Sequence, residues 1–379
     1  MDFIKNYPQG HYQIKDQLFV NKHQAMVEAV NNHNNEKISY HFFDEVWAKF
    51  NRDLIGQYSL SELYRQRAQQ LRNQYDYLIL YFSGGADSYN VLRSFCDNNI
   101  HLDEVCVKWC SEIFSSNTHI YTPNTVDLTS YNYLSEWDFA IKPVLEWLAQ
   151  HHPTIKITIL DWFRDKDSDT VERAFEIVNH FHDCEINSLA VWSPNEQSQL
   201  ESGRTVGSIY GVDKPSLFLD STTQQWNLFF SDTTVAMGTP NPNNVWGTEY
   251  FYITPNMPEL IFEMAYSLIA AARHDNLLNR VLDMKTANSM SEFQIRQKIV
   301  RHVLYNNWTD RFQCFKPTIK ERSDKHFWIY RSRELDHYRN LYEEIKNYHD
   351  QLLLNSRYRG RNALIYQPLN SRGFPICPK

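Results

Sequence analysis

The segment from Tyr77 to Ser88, with the sequence YLILYFSGGADS, constrains the fold more than any other part of this chain. An apolar run rich in β-forming residues, Tyr77–Phe82, predicts a buried strand. The glycine-rich turn Ser83–Ser88 follows at once, and apolar residues then recur at helical spacing as far as Cys96. The pattern is strand, tight turn and helix N-terminus, which is typical of an α/β protein.

A turn of this kind can hold a phosphate. Glycines let the backbone approach a ligand closely, and the helix start directs N–H groups and the positive end of its dipole at one point. Serine hydroxyls add donors, and the carboxylate of Asp87 suits a phosphate that carries Mg²⁺. The alternative is a tight βα turn without a ligand. We expect a nucleotide-phosphate site, with Asp87 as its metal residue, made of Ser83, Gly84, Gly85, Ala86, Asp87 and Ser88.

The turn is neither a Walker A loop nor a dinucleotide-binding G-x-G-x-x-G turn. It resembles the SGGxDS signature of the PP-loop ATP pyrophosphatases, a family that includes asparagine synthetase, argininosuccinate synthetase, GMP synthetase and NAD synthetase. The resemblance covers about residues 75–260. It implies an α/β fold of the HUP-like kind, a parallel sheet covered by helices, with ATP and Mg²⁺ as cofactors.

The resemblance also implies the reaction. ATP is cleaved between its α and β phosphates, a carboxylate or carbonyl oxygen of a small-molecule acceptor is adenylated, and pyrophosphate leaves. An amine or ammonia then displaces AMP, as in a ligase or synthetase. One alternative is modification of a tRNA or DNA nucleobase by the same adenylation. Another is a non-catalytic nucleotide-binding or interaction protein, which would bind ATP without releasing AMP and pyrophosphate.

Two basic residues follow the predicted core. Lys214, in the segment GVDKP, is a compact charge that could stabilise a leaving pyrophosphate, and the alternative is a solvent-exposed turn lysine. The resemblance supports the first reading, because asparagine-synthetase-like members place a lysine of a late loop against the pyrophosphate. Arg204 could clamp a phosphate or carboxylate in bidentate fashion, or form a structural ion pair. The GVDKP segment and Phe251–Glu259 also resemble segments of largely phage-encoded PP-loop proteins.

Two further candidates lie at predicted strand ends. Strands are predicted over Glu104–Cys110 and Ile155–Trp162, and ligands of parallel sheets bind outside the carboxyl ends of the strands. Lys108 lies near the end of the first of these strands, where the wider family contacts adenine. Asp161 lies near the end of the second, where it could contact ribose or metal, or cap a helix.

Several classes of protein are excluded by what the sequence lacks. The six Cys residues are scattered and form no C-x-x-C pair, so we expect reduced thiols rather than zinc, an iron–sulfur cluster or disulfides. Residue 2 is Asp2, so we expect no N-terminal glutaminase of the asparagine-synthetase type. We expect no secretory signal, no membrane span and a cytoplasmic location, in the host if the gene is viral.

The chain divides into four predicted parts. An α-rich cap over 1–75 contains predicted helices at Val46–Leu54, with Asp44 as its cap, and at Leu60–Gln74, capped by Ser59 or Ser61. The ATP-binding α/β domain occupies 76–237, a loop-rich connector 238–258 and a helical domain 259–379.

The predicted ATP-binding domain contains further elements. Helical patterns cover Tyr131–Gln150, with Pro143 as a kink or break, and Ser168–Phe181, while Ile186–Trp192 is a strand or a helix. The apolar runs Ser216–Asp220 and Trp226–Ser231 predict a hairpin appended to the sheet.

Charge is distributed unevenly along the chain. Residues 273–379 contain 20 Lys and Arg against 11 Asp and Glu, whereas the preceding residues contain 18 against 34. A basic, aromatic-rich C-terminal third could bind nucleic acid or a phosphorylated substrate. The alternative is a basic helical face that packs on the acidic remainder.

Overall fold

A computed structural model describes residues 2–31, 37–109, 137–161, 192–212, 214–235, 240–273, 275–283, 296, 299–305 and 369–376. The strands are β1 His11–Ile14, β2 Gln17–Phe19, β3 Ser39–His41, β4 Tyr77–Tyr81, β5 Glu104–Trp109, β6 Lys156–Asp161, β7 Val206–Tyr210, β8 Ser216–Leu219, β9 Trp226–Phe229, β10 Thr248–Tyr250 and β11 Phe374–Ile376. The α-helices are α1 Asp2–Lys5, α2 Lys22–Asn31, α3 Asp44–Lys49, α4 Leu60–Gln74, α5 Ala86–Cys96, α6 Lys142–His151, α7 Pro194–Glu201, α8 Asp232–Val235, α9 Pro258–Ala272 and α10 Asn276–Leu282.

A five-stranded parallel sheet organises the chain. Its strand order is β10-β7-β4-β5-β6, and every neighbouring pair runs parallel. The register places Tyr81 of β4 opposite both Cys106 of β5 and Tyr210 of β7. The α/β prediction is confirmed, together with β4, β5 and β6, which lie within the segments predicted from the sequence.

Two strands of this sheet were not predicted. The strand β7 has the sequence VGSIY, whose small residues weaken the apolar signal, yet it lies beside β4 in the middle of the sheet. The strand β10 has three residues and lies within 238–258, which was predicted to be a loop-rich connector. The sequence did not predict β10, because pairing with β7 makes a strand of residues that carry almost no local signal.

The two faces of the sheet differ in polarity. Successive side chains of a strand point to opposite faces, so Leu78 and Leu80 of β4 lie on one face and Tyr77 and Tyr81 on the other. The leucine face carries fully buried apolar side chains, and β4 contacts α4 and α5. The tyrosine face is covered by α7, whose residue Glu196 accepts a hydrogen bond from the Tyr81 hydroxyl at 2.8 Å.

A buried polar layer lies between the sheet and α7. Glu104 accepts hydrogen bonds from the hydroxyls of Tyr77 and Ser193 at 3.0 and 2.6 Å, and Glu196 accepts one from Ser208 at 2.8 Å. Both carboxylates are fully buried. Burial, followed by the charge of Glu196, raises the pKa of Tyr81 well above its ordinary value, so this phenol remains a donor. The layer therefore fixes α7 to the sheet by specific hydrogen bonds rather than by apolar contact alone.

The N-terminal segment differs from the predicted α-rich cap. It contains a three-stranded antiparallel sheet of order β2-β1-β3 in addition to helices. These strands have only three or four residues each, too short to give an alternating pattern in the sequence. The prediction for Leu60–Gln74 is confirmed as α4, and Ser59 caps it by accepting a hydrogen bond from the Glu62 N–H.

The helix predicted over Val46–Leu54 is divided in two. The α-helix α3 begins at Asp44, two residues before the predicted start, and the 3-10 helix Arg52–Leu54 follows it. Asp44 is the first residue of α3 rather than its cap, and its carboxylate accepts a hydrogen bond from the Phe42 N–H at 3.1 Å.

The predicted hairpin forms, but it belongs to a different sheet. The strands β8 and β9 pair in antiparallel fashion, and β11 from the C-terminal end pairs with β9. The result is a separate three-stranded sheet of order β11-β9-β8, not an extension of the parallel one.

Of the residues after Glu259 that the structure describes, those of α9 and α10 are helical, whereas Phe374–Ile376 form β11, so the helical domain over 259–379 stays a prediction. The helix α9 is buried along most of its length and contacts α4, β9 and β11. The five-residue π-helix Trp137–Ile141 is followed directly by α6, and Pro143 lies in the first turn of α6. Pro143 therefore marks the boundary between two short helices rather than a kink within one long helix. The predicted helix Ser168–Phe181, residues 186–191, and most of 284–368 lie outside the described residues. The domain boundaries stay predictions.

In the part of the chain that the structure describes, no helix is long and apolar enough to cross a membrane.

The edge strand β10 is held by a buried ion pair. Arg67 of α4 is fully buried, and its guanidinium contacts the Glu249 carboxylate at 2.6 Å. We expect Arg67→Met to lower the free energy of unfolding by about 3–5 kcal/mol, because it leaves a buried carboxylate uncompensated. Urea denaturation measures the change.

The matched controls are a surface pair and a double variant. Lys49→Ala breaks the exposed Lys49–Glu45 pair and should cost no more than about 0.5 kcal/mol. Arg67→Met combined with Glu249→Gln should recover part of the loss. A loss for Arg67→Met as small as that for Lys49→Ala would contradict this account of the edge strand.

Candidate active site at the Ser83–Ser88 turn

The predicted turn connects β4 to α5 at the carboxyl edge of the parallel sheet. Gly84 has a φ of +71°, which a non-glycine residue rarely adopts. A Cβ atom there would also lie 2.8 Å from the Ile141 side chain. Ala86 begins the helix, with Gly85 as its N-terminal flanking residue. The backbone conformation and the lack of space both explain why the turn requires glycine at position 84.

The two serines of the turn have different roles. The Ser88 side chain is buried, and its hydroxyl donates to the Gly85 carbonyl at 3.1 Å and accepts from the Ser83 N–H at 3.3 Å. These bonds close the turn from inside. Ser83 is exposed, and its hydroxyl accepts a hydrogen bond from the Gly85 N–H at 3.4 Å. Ser83 therefore faces solvent at the mouth of the turn, whereas Ser88 shapes the turn.

The loop after β7 meets the first turn of α5. A Cβ atom on Gly211 would lie 2.8 Å from the Ser88 nitrogen and 2.9 Å from its Cα, so only glycine permits this approach. Three residues later, the Lys214 ammonium lies 2.5 Å from Asp87 Oδ2. Lys214 is 8% exposed. The predicted metal residue and the lysine predicted to stabilise the pyrophosphate, 127 positions apart in the chain, therefore form an ion pair.

Two tyrosines complete the surroundings of Asp87. The Tyr305 hydroxyl donates to Asp87 Oδ1, and the Tyr252 hydroxyl donates to the Asp87 main-chain carbonyl at 2.8 Å. Burial, and then the charge of Asp87, raises the pKa of Tyr305 well above its ordinary value. Burial also raises that of the Tyr252 hydroxyl. Both phenols therefore stay protonated and keep donating to Asp87 at neutral pH.

No motif in the sequence points to these tyrosines. Tyr252 lies in the segment Phe251–Glu259, for which the sequence shows only a resemblance to largely phage-encoded PP-loop proteins. Tyr305 follows the helical residues 299–304 and has no motif around it. Its contact with Asp87 spans 218 positions of the chain, so only the tertiary fold reveals it.

The residues around Asp87 include oxygen donors of the kind that Mg²⁺ prefers. Mg²⁺ prefers oxygen ligands and is commonly held by one or two carboxylates, waters and substrate phosphates. Asp87 offers a carboxylate 22% exposed, and Ser83 an accessible hydroxyl. Among the described residues, no group of three or more His, Cys, Asp or Glu could hold a metal by itself. Asp87, the predicted metal residue, therefore offers a donor of the kind that Mg²⁺ prefers.

The predicted residues on β5 and β6 also lie at the carboxyl edge. Lys108 is two residues beyond Cys106, which pairs with Tyr81, and its ammonium lies 4.9 Å from the centre of the Tyr81 ring. Asp161 ends β6, two strands from β4 and thus about 10 Å away. Its side chain lies outside the description. The backbones of Lys108 and Asp161 both lie at the edge where a ligand is expected, and Lys108 is the nearer of the two to the Ser83–Ser88 turn.

Arg204 is not brought to the turn. It precedes β7, and the following residue Thr205 bonds Asp76, which precedes β4, so Arg204 lies at the amino edge of the sheet. Its guanidinium donates to the Gln199 side chain at 2.9 Å. A parallel sheet separates its two edges by the length of its strands, about 13 Å for four residue steps. The prediction that Arg204 clamps a phosphate at this site is corrected.

Adding one methyl group to Gly211 tests whether its close approach to α5 shapes the site. Gly211→Ala should lower the free energy of unfolding by about 1–3 kcal/mol, because the new atom meets backbone rather than a flexible side chain. It should also weaken binding of Mg·ATP by about tenfold or more, since it displaces the first turn of α5. Calorimetric titration and urea denaturation measure the two effects.

Gly203→Ala is the matched control. Gly203 has a φ of +80°, but nothing lies within 4 Å of its added Cβ, and it is next to Arg204 at the other edge. This variant should lose about 1–2 kcal/mol of stability through backbone strain and keep its affinity for Mg·ATP. Unchanged affinity in Gly211→Ala would mean that the loop after β7 does not shape the site.

Comparison with known proteins adds no family to this geometry. No protein-family model, no curated protein and no solved structure matches the chain.

Proposed function

We propose that this protein is an ATP pyrophosphatase that adenylates an oxygen of an acceptor and then transfers the acceptor to an amine or ammonia. The observation that carries the proposal is the pairing of Asp87 with Lys214 at the N-terminus of α5. The Asp87 carboxylate could bind a metal, and the Lys214 ammonium could bind a leaving group. The two lie together beside a glycine-rich turn that could bind phosphates. Such a constellation is suited to polyphosphate chemistry.

The proposed reaction has two displacements. A carboxylate or carbonyl oxygen of the acceptor forms a bond to the α-phosphorus of ATP, the bond to the bridging α–β oxygen breaks, and pyrophosphate leaves with that oxygen. The nucleophilic nitrogen then bonds to the activated carbon, and AMP leaves with the acceptor oxygen. Neither displacement requires a covalent enzyme intermediate, so the protein contributes mainly position and charge.

Each residue of the site has a role in this proposal. The first N–H groups of α5 lack partners within the helix and can donate to phosphate oxygens. Asp87 would hold Mg²⁺, which supplies positive charge to the phosphates when bound. The Lys214 ammonium lies 2.5 Å from Asp87, close enough to move to a pyrophosphate bound beside it. Charge on the bridging oxygen grows as the bond breaks, so Lys214 would stabilise the transition state more than the bound substrate.

The charge of the C-terminal third favours a second candidate function. Residues 273–379 carry nine more basic than acidic residues, which suits a nucleic-acid acceptor. The chemistry would be the same adenylation, with a nucleobase carbonyl as the oxygen. Retention on tRNA or DNA that falls steeply between 50 and 200 mM salt would favour this acceptor.

The products of ATP distinguish the proposed reaction from other uses of the nucleotide. We expect AMP and pyrophosphate in equal amounts, with an absolute requirement for Mg²⁺, when the protein is incubated with ATP and fractions of a metabolite extract. Chromatography of the nucleotides and an enzymatic pyrophosphate assay measure both products. Release of ADP and phosphate instead would show cleavage at the γ-phosphate and exclude the proposal.

The role of Lys214 can be separated from substrate binding. Lys214→Ala should reduce kcat by about 10²–10³ while KM for ATP changes little, because one electrostatic contact of the transition state is lost. Lys214→Arg should recover only part, because the guanidinium is planar and bulkier. Lys49→Ala, which removes an exposed lysine of α3, is the control. Near-normal turnover of Lys214→Ala would remove Lys214 from the mechanism.

A further inference from the structure

The two oxygens of the Asp87 carboxylate have different partners. Lys214 places an ammonium 2.5 Å from Oδ2, and Tyr305 donates its phenol to Oδ1. A phenol brings no positive charge to the carboxylate. Of these two contacts, only the one with Lys214 neutralises the carboxylate, and a divalent cation would need that same negative charge.

The ion pair is too sheltered to be a weak surface contact. The Lys214 side chain is 7% exposed and that of Asp87 22%. Charges taken out of water interact more strongly than exposed charges, and removing one partner leaves the other uncompensated. A bound cation at Asp87 therefore competes with Lys214, since two cations on one carboxylate repel each other.

We propose that Lys214 is a gate for the metal: it occupies Asp87 in the nucleotide-free protein, excludes free divalent cations, and leaves when a polyphosphate arrives. The inference rests on the proposed function, because it assigns the regulation of the same site. A triphosphate offers the ammonium a more negative partner than one carboxylate and brings its own oxygens to the metal. The metal is then admitted only together with the nucleotide.

The gate makes binding of metal and nucleotide cooperative. Any ligand that draws Lys214 away from Asp87 raises the affinity for the cation, and the cation must raise the affinity for that ligand equally. Tyr305 and Tyr252 contribute no charge when one cation replaces the other at Asp87. Their hydrogen bonds keep the carboxylate and main chain of Asp87 in place while its cation changes.

Binding of Mn²⁺ without nucleotide tests the gate directly. Free Mn²⁺ is measured by electron paramagnetic resonance during titration of the full chain. The wild type should bind Mn²⁺ weakly at this site. Lys214→Met, which keeps most of the apolar stem, should bind it at least about tenfold more tightly, because Asp87 loses its neutralising ammonium. Adding Asp87→Asn to Lys214→Met should abolish the gain.

Two controls test whether the charge of Lys214 and its contact with Asp87 determine the affinity for Mn²⁺. Tyr305→Phe removes the other contact of the carboxylate without removing charge, so any gain in its Mn²⁺ affinity should be clearly smaller than that of Lys214→Met. With α,β-methylene-ATP, which cannot be cleaved between those phosphates, wild-type affinity for Mn²⁺ should rise to within about threefold of that of Lys214→Met.

Several results would overturn the gate. Tight Mn²⁺ binding by the nucleotide-free wild type would do so without any variant, even if Lys214→Met failed to fold in circular dichroism. Equal affinities of wild type and Lys214→Met, or an equal gain in Tyr305→Phe, would also do so. The proposed function fails separately, by release of ADP instead of AMP, and that outcome would leave the metal titrations unchanged.

Discussion

The ion pair between Asp87 and Lys214 depends on the parallel order of the sheet. Asp87 follows β4 and Lys214 follows β7, and because these neighbouring strands run in the same direction their ends meet at one edge. Gly211 then lets the loop after β7 touch the first turn of α5. If β7 were antiparallel, Lys214 would lie at the opposite edge, where Arg204 lies now. The site is therefore a consequence of topology before it is a consequence of side-chain chemistry.

The rigidity of that edge comes from both sides of the sheet. On one side, the buried Arg67–Glu249 pair attaches α4 to β10, and Tyr252 and Tyr305 hold Asp87 from the same region. On the other, Glu196 of α7 accepts a hydrogen bond from Tyr81, the last residue of β4. Hydrogen-bonded polar groups in a buried layer tolerate little displacement, because an unpaired buried group is costly. The turn is thus built on a support that cannot shift easily.

Prediction from sequence succeeded where the signal was local. The strand β4, the turn and α5 are continuous in the chain, so the run of apolar residues and the glycines locate them to within two residues. The helix α4 was predicted with its bounds, and with Ser59 as one of two candidate caps, for the same reason. Prediction from sequence failed for β7, β10 and the N-terminal sheet, because their short strands are stabilised by neighbours that are distant in the chain. Their residues have ordinary propensities, and pairing decides their conformation.

The sequence by itself determined that this chain has a strand, a glycine-rich turn and a helix, with Asp87 in the turn and Lys214 in a loop. It determined these features because glycine conformation, apolar periodicity and residue charge are properties of a few adjacent residues. Only the tertiary structure decided that Lys214 meets Asp87 while Arg204 does not, and that Tyr305 reaches the same carboxylate. Those outcomes depend on strand order and direction, which are set by the burial of the whole sheet rather than by any local segment.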